Sequence, residues 1–304
     1  YFKTPRLLMI KTKNIKLKLA MQRQINGEYQ LAMASYMQFL KEKPQDPIIN
    51  YLIGTIYFKF HDLNNSKTFF DNAIKLNPHF PEALNQRGVV YKELGNLALA
   101  QNDFQSAVLI RENFSEALCN LADLYRLENK YAKARNLINQ AIKHNPNLAA
   151  AYNNSGAIER DAKNFSCAII AFKKALSLDP KLYQAKLNLA VVIDKTGDTA
   201  GAIELAMKVI IDQPQNARAH NCLGTIHLNQ NKLSDAENSF KRACSLQPEF
   251  AEANNNLANT LLKKNDVKLA LKYFNIALGI DPTNPDFWAN KGAAYQAANQ
   301  PLKA

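Results

Sequence analysis

The residues of this chain best suited to chemistry are side-chain amides that recur at one spacing. Neighbouring members lie 34 residues apart, or a multiple of that, and Cys222 holds one slot of the series. The series, named here the amide ladder, consists of Gln86, Asn120, Asn154, Asn188, Asn256 and Asn290. Asparagine is a poor residue for a helix interior, so its repetition needs a cause beyond propensity. Each amide offers both a donor and an acceptor, which is what the backbone of an extended polypeptide requires. The ladder therefore predicts a surface that holds polypeptide main chain.

The same interval runs through almost the whole chain. Proline recurs on it seven times, and Glu112 fills the one intermediate slot that lacks proline. The prolines are Pro44, Pro78, Pro146, Pro180, Pro214, Pro248 and Pro282. With proline at position 32, units start at residues 13, 47, 81, 115, 149, 183, 217, 251 and 285, and the ninth is incomplete. This period indicates an array of repeats in which each unit buries its apolar face against its neighbours.

Each unit has the pattern of two helices. Positions 4, 8 and 11, and then 20, 24 and 27, have the three-and-four spacing of one helical face. Position 8 is Gly or Ala in every unit, which predicts close approach of another helix. Position 15 is Gly or Asn in seven of nine units, with His61 and Lys163 as exceptions, and predicts a left-handed residue between the helices. We therefore expect an all-α chain of antiparallel helix pairs with the amide ladder on the first helices.

Small residues at positions 8 and 20, tyrosine at position 11, as in Tyr57 and Tyr91, and proline at 32 resemble the tetratricopeptide repeat over residues 13–304. The resemblance implies a right-handed superhelix, an α-solenoid with a concave inner wall lined by positions 2, 6, 9 and 13. The amide ladder, with Asn259 three residues after Asn256, is most similar to the repeats of O-GlcNAc transferase-like proteins. That similarity implies that the asparagines hold substrate polypeptide. The alternative is that the amides only bond neighbouring helices.

Two further patches are candidate contact surfaces. Position 12 is basic in three consecutive units, at Lys92, Arg126 and Arg160, which would favour acidic segments of a bound polypeptide. Ordinary solvation of an exposed helix is the alternative. An apolar patch is formed by Ile48, Tyr51, Leu52 and Phe58. Apolar residues in a groove are expected to be covered by a partner. The candidates are the chain's own segment at 7–10, a second protomer bound through the N-terminal repeats, and a bound helix.

Composition and charge narrow the function classes. The net charge is +12, but residues 1–46 hold half of it, with nine basic and three acidic side chains. A bound nucleic acid would require basic or stacking residues in every unit, so we predict no nucleic-acid partner. Histidine and cysteine lack metal-binding or disulfide spacing, and no nucleophile or phosphate-binding motif is present. No apolar run reaches the length of a membrane span. The sequence predicts a chain that is not an enzyme and has no metal, cofactor or membrane span.

The sequence thus predicts a basic N-terminal segment or capping helix at residues 1–12 and one repeat array without a linker at 13–304. The predicted function is a scaffold that binds an extended polypeptide in the concave groove. One alternative is the substrate-recognition arm of a protein glycosyltransferase or sulfotransferase whose catalytic domain follows residue 304. Another is an adaptor in envelope, secretion or pilus assembly. Tyr1 in place of Met indicates missing flanking sequence, so the compartment stays open, with the cytoplasm favoured.

Overall fold

The computed structural model describes residues 14–299, so the predicted segment at 1–12 lies outside the described residues. Within residues 14–299 the chain forms seventeen α-helices and no β-strand. The first helices of the repeats are α1 (Ile15–Ile25), α3 (Pro47–Lys59), α5 (Pro81–Glu93), α7 (Ser115–Leu127), α9 (Ala149–Asp161), α11 (Tyr183–Lys195), α13 (Ala217–Asn229), α15 (Ala251–Lys263) and α17 (Pro285–Asn299). The second helices are α2 (Tyr29–Glu42), α4 (Leu63–Leu76), α6 (Leu97–Ile110), α8 (Tyr131–His144), α10 (Phe165–Leu178), α12 (Thr199–Asp212), α14 (Leu233–Leu246) and α16 (Val267–Ile280).

Consecutive helices pack as antiparallel pairs, which confirms the predicted all-α fold class. Repeats 2 and 8 both have a first helix of 13 residues and a second helix of 14 residues. The chain divides into two compact units, residues 1–154 and residues 155–304. The described part of the first unit has a core that includes Ile53 and Phe70, and the second unit has a core that includes Phe240 and Leu257. Each unit therefore buries its own apolar side chains between stacked helices.

Contact between an aromatic ring and a glycine brings the two helices of a repeat close together. Four repeats have this pair between positions 24 and 8, namely Phe70 with Gly54, Phe104 with Gly88, Phe172 with Gly156, and Phe240 with Gly224. A Cβ atom added to any of these glycines would lie 2.5–2.8 Å from the ring, well inside van der Waals contact. All four rings are buried, so the space that a side chain would fill at position 8 is already occupied. The small residue predicted at position 8 is thus required by the second helix of the same repeat.

The turn between the two helices of each repeat has one conformation throughout. The residues at position 15 have φ between 58° and 101°, and they are Gly27, His61, Gly95, Asn129, Lys163, Gly197, Asn231 and Asn265. At the end of α9, Lys163 N–H donates to the Arg160 carbonyl and Asn164 N–H donates to the Glu159 carbonyl, which is a Schellman cap. His61 and Lys163, the exceptions in sequence, therefore adopt the same left-handed backbone as glycine. The packing of the two helices imposes this turn even where the residue disfavours it.

The left-handed turn predicts opposite effects of two substitutions. Lys163→Gly should stabilise the chain by about 1 kcal/mol, because glycine lacks the steric penalty of a left-handed residue. Gly197→Ala should destabilise it by about 1 kcal/mol. An added Cβ at Gly197 meets no atom within 4 Å, so the backbone conformation alone supplies this cost. Urea unfolding of both variants measures the effects, and a shift of the same sign in both would contradict the interpretation.

Candidate functional site

Three amides of the ladder bond the asparagine at position 5 of the preceding repeat. The side-chain nitrogen of Asn120 donates to Asn85 Oδ1 at 2.9 Å. The same bond, at 3.1 Å, joins Asn256 to Asn221 and Asn290 to Asn255. Donor and acceptor are 35 residues apart in each case, so every bond ties two successive repeats. These three amides therefore bond neighbouring helices.

At two places where position 5 carries no amide, a main-chain carbonyl accepts instead. Asn154 Nδ2 donates to the carbonyl oxygen of Cys119 at 3.2 Å. The thiol of Cys222 lies 3.7 Å from the carbonyl oxygen of Leu187, an arrangement that suits a weak S–H donor. Cys222, which breaks the ladder in the sequence, thus makes the same contact between repeats.

Three members of the ladder line one pocket of about 340 Å³ in the first unit. They are Gln86, Asn120 and Asn154, from repeats 3, 4 and 5. The remaining polar lining comes from Asn85, Glu116 and Cys119, and the apolar lining from Val89, Phe114, Leu148 and Ala150. A concave site of this size, with apolar walls and a few convergent polar groups, is typical of ligand pockets. The structure therefore brings part of the ladder together in a concave surface.

The pocket amides retain hydrogen-bonding capacity after bonding between repeats. Asn120 uses one N–H of its amide, and its Oδ1 atom accepts no hydrogen bond from residues 14–299. Within the same residues, Gln86 makes no side-chain hydrogen bond, although it is only 9% exposed. Neither amide has a fully buried unpaired polar atom, so these groups are accessible to water. They can accept and donate to a ligand.

The thiol in the pocket does not act as a nucleophile at neutral pH. Burial raises the pKa of Cys119 to about 12, and the nearby carboxylates of Glu116 and Asp123 add to the effect. A thiol must ionise to attack an electrophile or bind a metal, so Cys119 stays protonated and unreactive. The chemistry that the pocket supports is non-covalent binding.

The basic patch at position 12 is paired with carboxylates inside the protein. Asp123 accepts hydrogen bonds from Lys92 Nζ and, at 2.9 Å, from Arg126 Nε. Arg160 Nε contacts Asp161 Oδ1 at 2.8 Å. Burial acts to raise the pKa of Asp123, but Lys92 and Arg126 outweigh it and hold this pKa below the usual range for Asp. This pairing weakens the predicted attraction for acidic segments.

The structure contradicts the predicted apolar patch at two of its four residues. Tyr51 and Leu52 are 1% and 0% exposed, so they lie in the core and face no groove. The Tyr51 ring packs against Phe70 with ring centroids 5.8 Å apart. Ile48 and Phe58 are partly buried against the same core. The sequence pattern placed these positions on the inner wall, but in repeat 2 the large side chains at positions 5 and 6 turn into the core of the first unit.

The other predicted amides belong to the second compact unit. Asn188 accepts hydrogen bonds from Arg160 Nη1 at 3.1 Å and Gln184 Nε2 at 3.3 Å. Asn256, Asn259 and Asn290 are partly buried and lie outside the pocket of repeats 3–5. Sequence reasoning did not predict Asn85 or Glu116 as site residues. The recurrence of asparagine at position 5, in Asn85, Asn153, Asn221 and Asn255, was the signal for the partner of the ladder.

Within residues 14–299, no three His, Cys, Asp or Glu side chains come close enough to hold a metal ion. Among the described helices, none combines the length and the apolar character needed to cross a bilayer.

Family models described as tetratricopeptide repeat match this chain in five segments. The matched residues are 48–80, 69–102, 115–148, 149–182 and 223–285, which together exceed half of the chain. No curated protein sequence is significantly similar to it. The resemblance of the ladder to O-GlcNAc transferase-like repeats stays a prediction.

Two solved structures have a similar fold. The crystal structure of a tetratricopeptide repeat protein from Parabacteroides merdae aligns with a TM-score of 0.65 and 21% identity, over 81% of this chain and 97% of that chain. The crystal structure of the APC/C hetero-tetramer Cut9-Hcn1 aligns with a TM-score of 0.69 and 16% identity. That alignment covers 94% of this chain and 56% of that chain, so this chain spans just over half the length of that protein. At these identities the likeness shows the fold alone.

The bond between repeats predicts energetic coupling between Asn85 and Asn120. Asn85 is 5% exposed, so loss of Asn120 leaves a buried amide group without its hydrogen bond, and loss of Asn85 leaves the half-buried Asn120 without its acceptor. We expect a coupling energy of about 1 kcal/mol in a double-mutant cycle of the two alanine substitutions. The control cycle pairs Asn85 with Asn290, which donates to Asn255 instead, and should show additivity. Additive effects for Asn85 and Asn120 would exclude the bond as a source of stability.

The carboxylate of Asp123 predicts a pH-dependent contribution to stability. Asp123→Asn should cost about 1 kcal/mol at pH 7, because Lys92 and Arg126 lose their counter-ion. The pKa of Asp123 is lower in the folded than in the unfolded chain, so its contribution is complete above about pH 4 and is lost as the pH falls through the folded pKa. Urea unfolding across acidic pH measures the gap between wild type and variant. The gap should close at low pH, and a constant gap would contradict the ionic origin.

Proposed function

Because the chain belongs to the tetratricopeptide repeat family, we propose that it is a protein-interaction scaffold that binds an extended segment of a partner polypeptide on repeats 3–5. Repeats of this family typically act as non-catalytic scaffolds for contacts between proteins. The observation that carries the proposal is the pocket in which Gln86, Asn120 and Asn154 converge, and in which Gln86 and Asn120 keep unused hydrogen-bonding capacity. The ligand is polypeptide main chain, whose N–H and C=O groups match an amide.

The bond to the preceding repeat prepares Asn120 for binding. Its contact with Asn85 holds the side chain in one orientation before a ligand arrives. Less side-chain entropy is then lost on binding, which increases affinity. The free Oδ1 atom and the second N–H can pair with the N–H and C=O groups of an extended strand. Such contacts do not depend on the ligand's side chains, so they give affinity for many sequences.

Polypeptide binding is compatible with both of the more specific functions that the sequence suggested. The recognition arm of a glycosyltransferase or sulfotransferase and an adaptor in envelope, secretion or pilus assembly both require polypeptide binding. Self-association through the N-terminal repeats stays a separate prediction. The buried positions of Tyr51 and Leu52 leave less apolar surface for it.

The test is selection of peptides by the purified chain. Random twelve-residue peptides displayed on phage are enriched on the immobilised protein, and the affinities of enriched peptides are measured by fluorescence polarisation. Asn120→Ala should weaken binding about tenfold, because a two-point contact with the peptide backbone is lost.

The matched control is Asn229→Ala. Asn229 Nδ2 also bonds the preceding repeat, at 2.8 Å from Asp194 Oδ2, but it lies outside the pocket. This variant loses a similar contact between repeats and should keep its affinity for peptide. Failure to enrich any peptide, or equal affinities for the two variants, would overturn the proposal.

A further inference from the structure

Glu116 gives the pocket of repeats 3–5 a negative charge. The other described lining residues are amides, apolar side chains and the protonated thiol of Cys119. Glu116 lies in the first turn of α7. It forms no ion pair with any residue between 14 and 299. The pocket therefore presents a carboxylate that the described chain does not neutralise.

In repeat 3, the equivalent glutamate pairs with a cation of the protein itself. Glu82, also at position 2, accepts a hydrogen bond from Arg111 Nη2 at 2.6 Å. Arg111 occupies position 31 of its repeat, where repeat 4 has the neutral Asn145. The two backbones match, with φ and ψ of −139° and 93° at Arg111 and −140° and 84° at Asn145. The internal cation of repeat 3 is thus replaced in repeat 4 by a residue that cannot pair with Glu116 as an ion.

The walls of the pocket suit a long side chain with a charged end. Leu148 and Ala150 line the same pocket as Glu116 and offer apolar surface. Phe114 is 8% exposed, and the guanidinium of Arg111, which pairs with Glu82, lies 4.8 Å from its ring centroid. Lysine and arginine bury their methylene stems on such surface while the charged group pairs with a carboxylate. Arginine can also form two parallel hydrogen bonds to the carboxylate.

We infer that this pocket selects a lysine or arginine side chain of the bound polypeptide, with Glu116 as its counter-ion. The inference rests on the proposed function, because contacts of the ligand backbone with Asn120 are what place the side chain. The net charge of +12 does not oppose it. Half of that charge belongs to residues 1–46, and near the pocket the cations Lys92 and Arg126 are paired with Asp123.

The first experiment reads the sequences of the phage-selected peptides. Lysine or arginine should be enriched at one position of the aligned peptides. A synthetic peptide in which that residue is replaced by norleucine keeps an apolar stem and loses the charge. It should bind the wild-type chain about tenfold more weakly than the lysine peptide.

Variants of the protein test Glu116 from two directions. Glu116→Gln should abolish the preference for lysine over norleucine. Asn145→Arg keeps Glu116 but supplies the internal cation found in repeat 3, and it should also abolish the preference. The control is Glu252→Gln, which removes a position 2 glutamate from the first turn of α15, outside the pocket, and should leave the preference unchanged.

The outcomes separate this inference from the proposed function. If the lysine and norleucine peptides bind equally and both lose affinity with Asn120→Ala, the scaffold function stands and the cation selectivity is overturned. If no peptide binds, the proposed function fails and the inference fails with it. A preference for lysine that persists in Glu116→Gln would show that Glu116 is not the counter-ion.

Discussion

The close approach of two helices within a repeat is the constraint from which the rest of the structure follows. In four repeats it depends on an aromatic ring that lies directly on a glycine of the first helix, as Phe104 does on Gly88. Once that contact is made, the connecting residue must adopt a left-handed conformation, even when it is Lys163. Repeats of such similar geometry stack so that position 6 of one helix meets position 5 of the preceding one. The alignment of the amide ladder is therefore a consequence of packing within each hairpin.

The ladder joins stability to the proposed function. Hydrogen bonds between repeats use part of each amide, and Asn120 keeps an acceptor and a donor for a ligand. Contact with a neighbouring helix and contact with a polypeptide are thus compatible in one side chain. An amide held by its neighbour is a better receptor than a mobile one, since its orientation is set beforehand. Selection for stacking and selection for binding would then favour the same residue.

The sequence predictions agreed well with the structure for features that depend on contacts within one repeat. They agreed less well for features that depend on contacts between repeats. The period, the helix pairs and the small residue at position 8 reflect contacts made inside one hairpin. The prediction that Tyr51 lies on an inner wall was wrong. The spacing of residues shows which side of a helix a side chain lies on, but not whether that side is buried in the core. His61 and Lys163 looked like exceptions at position 15 because their residue types disfavour a left-handed conformation. Tertiary packing overrides this local preference. The prediction for the basic residues at position 12 did not include their acidic partners. In the structure, Asp123 pairs with two of the three cations.

The sequence by itself determined the repeat length, the two helices of each unit and the presence of an amide on each of several first helices. These features depend on spacing and backbone preference, which are local properties. Only the tertiary structure decided that Asn120 bonds Asn85 and that Gln86 and Asn154 share its pocket. It also decided that Glu116 pairs with no cation of residues 14–299, whereas Glu82 pairs with Arg111. Such pairings join side chains from different helices and successive repeats. Their distances follow from how the helices stack, which no single repeat specifies.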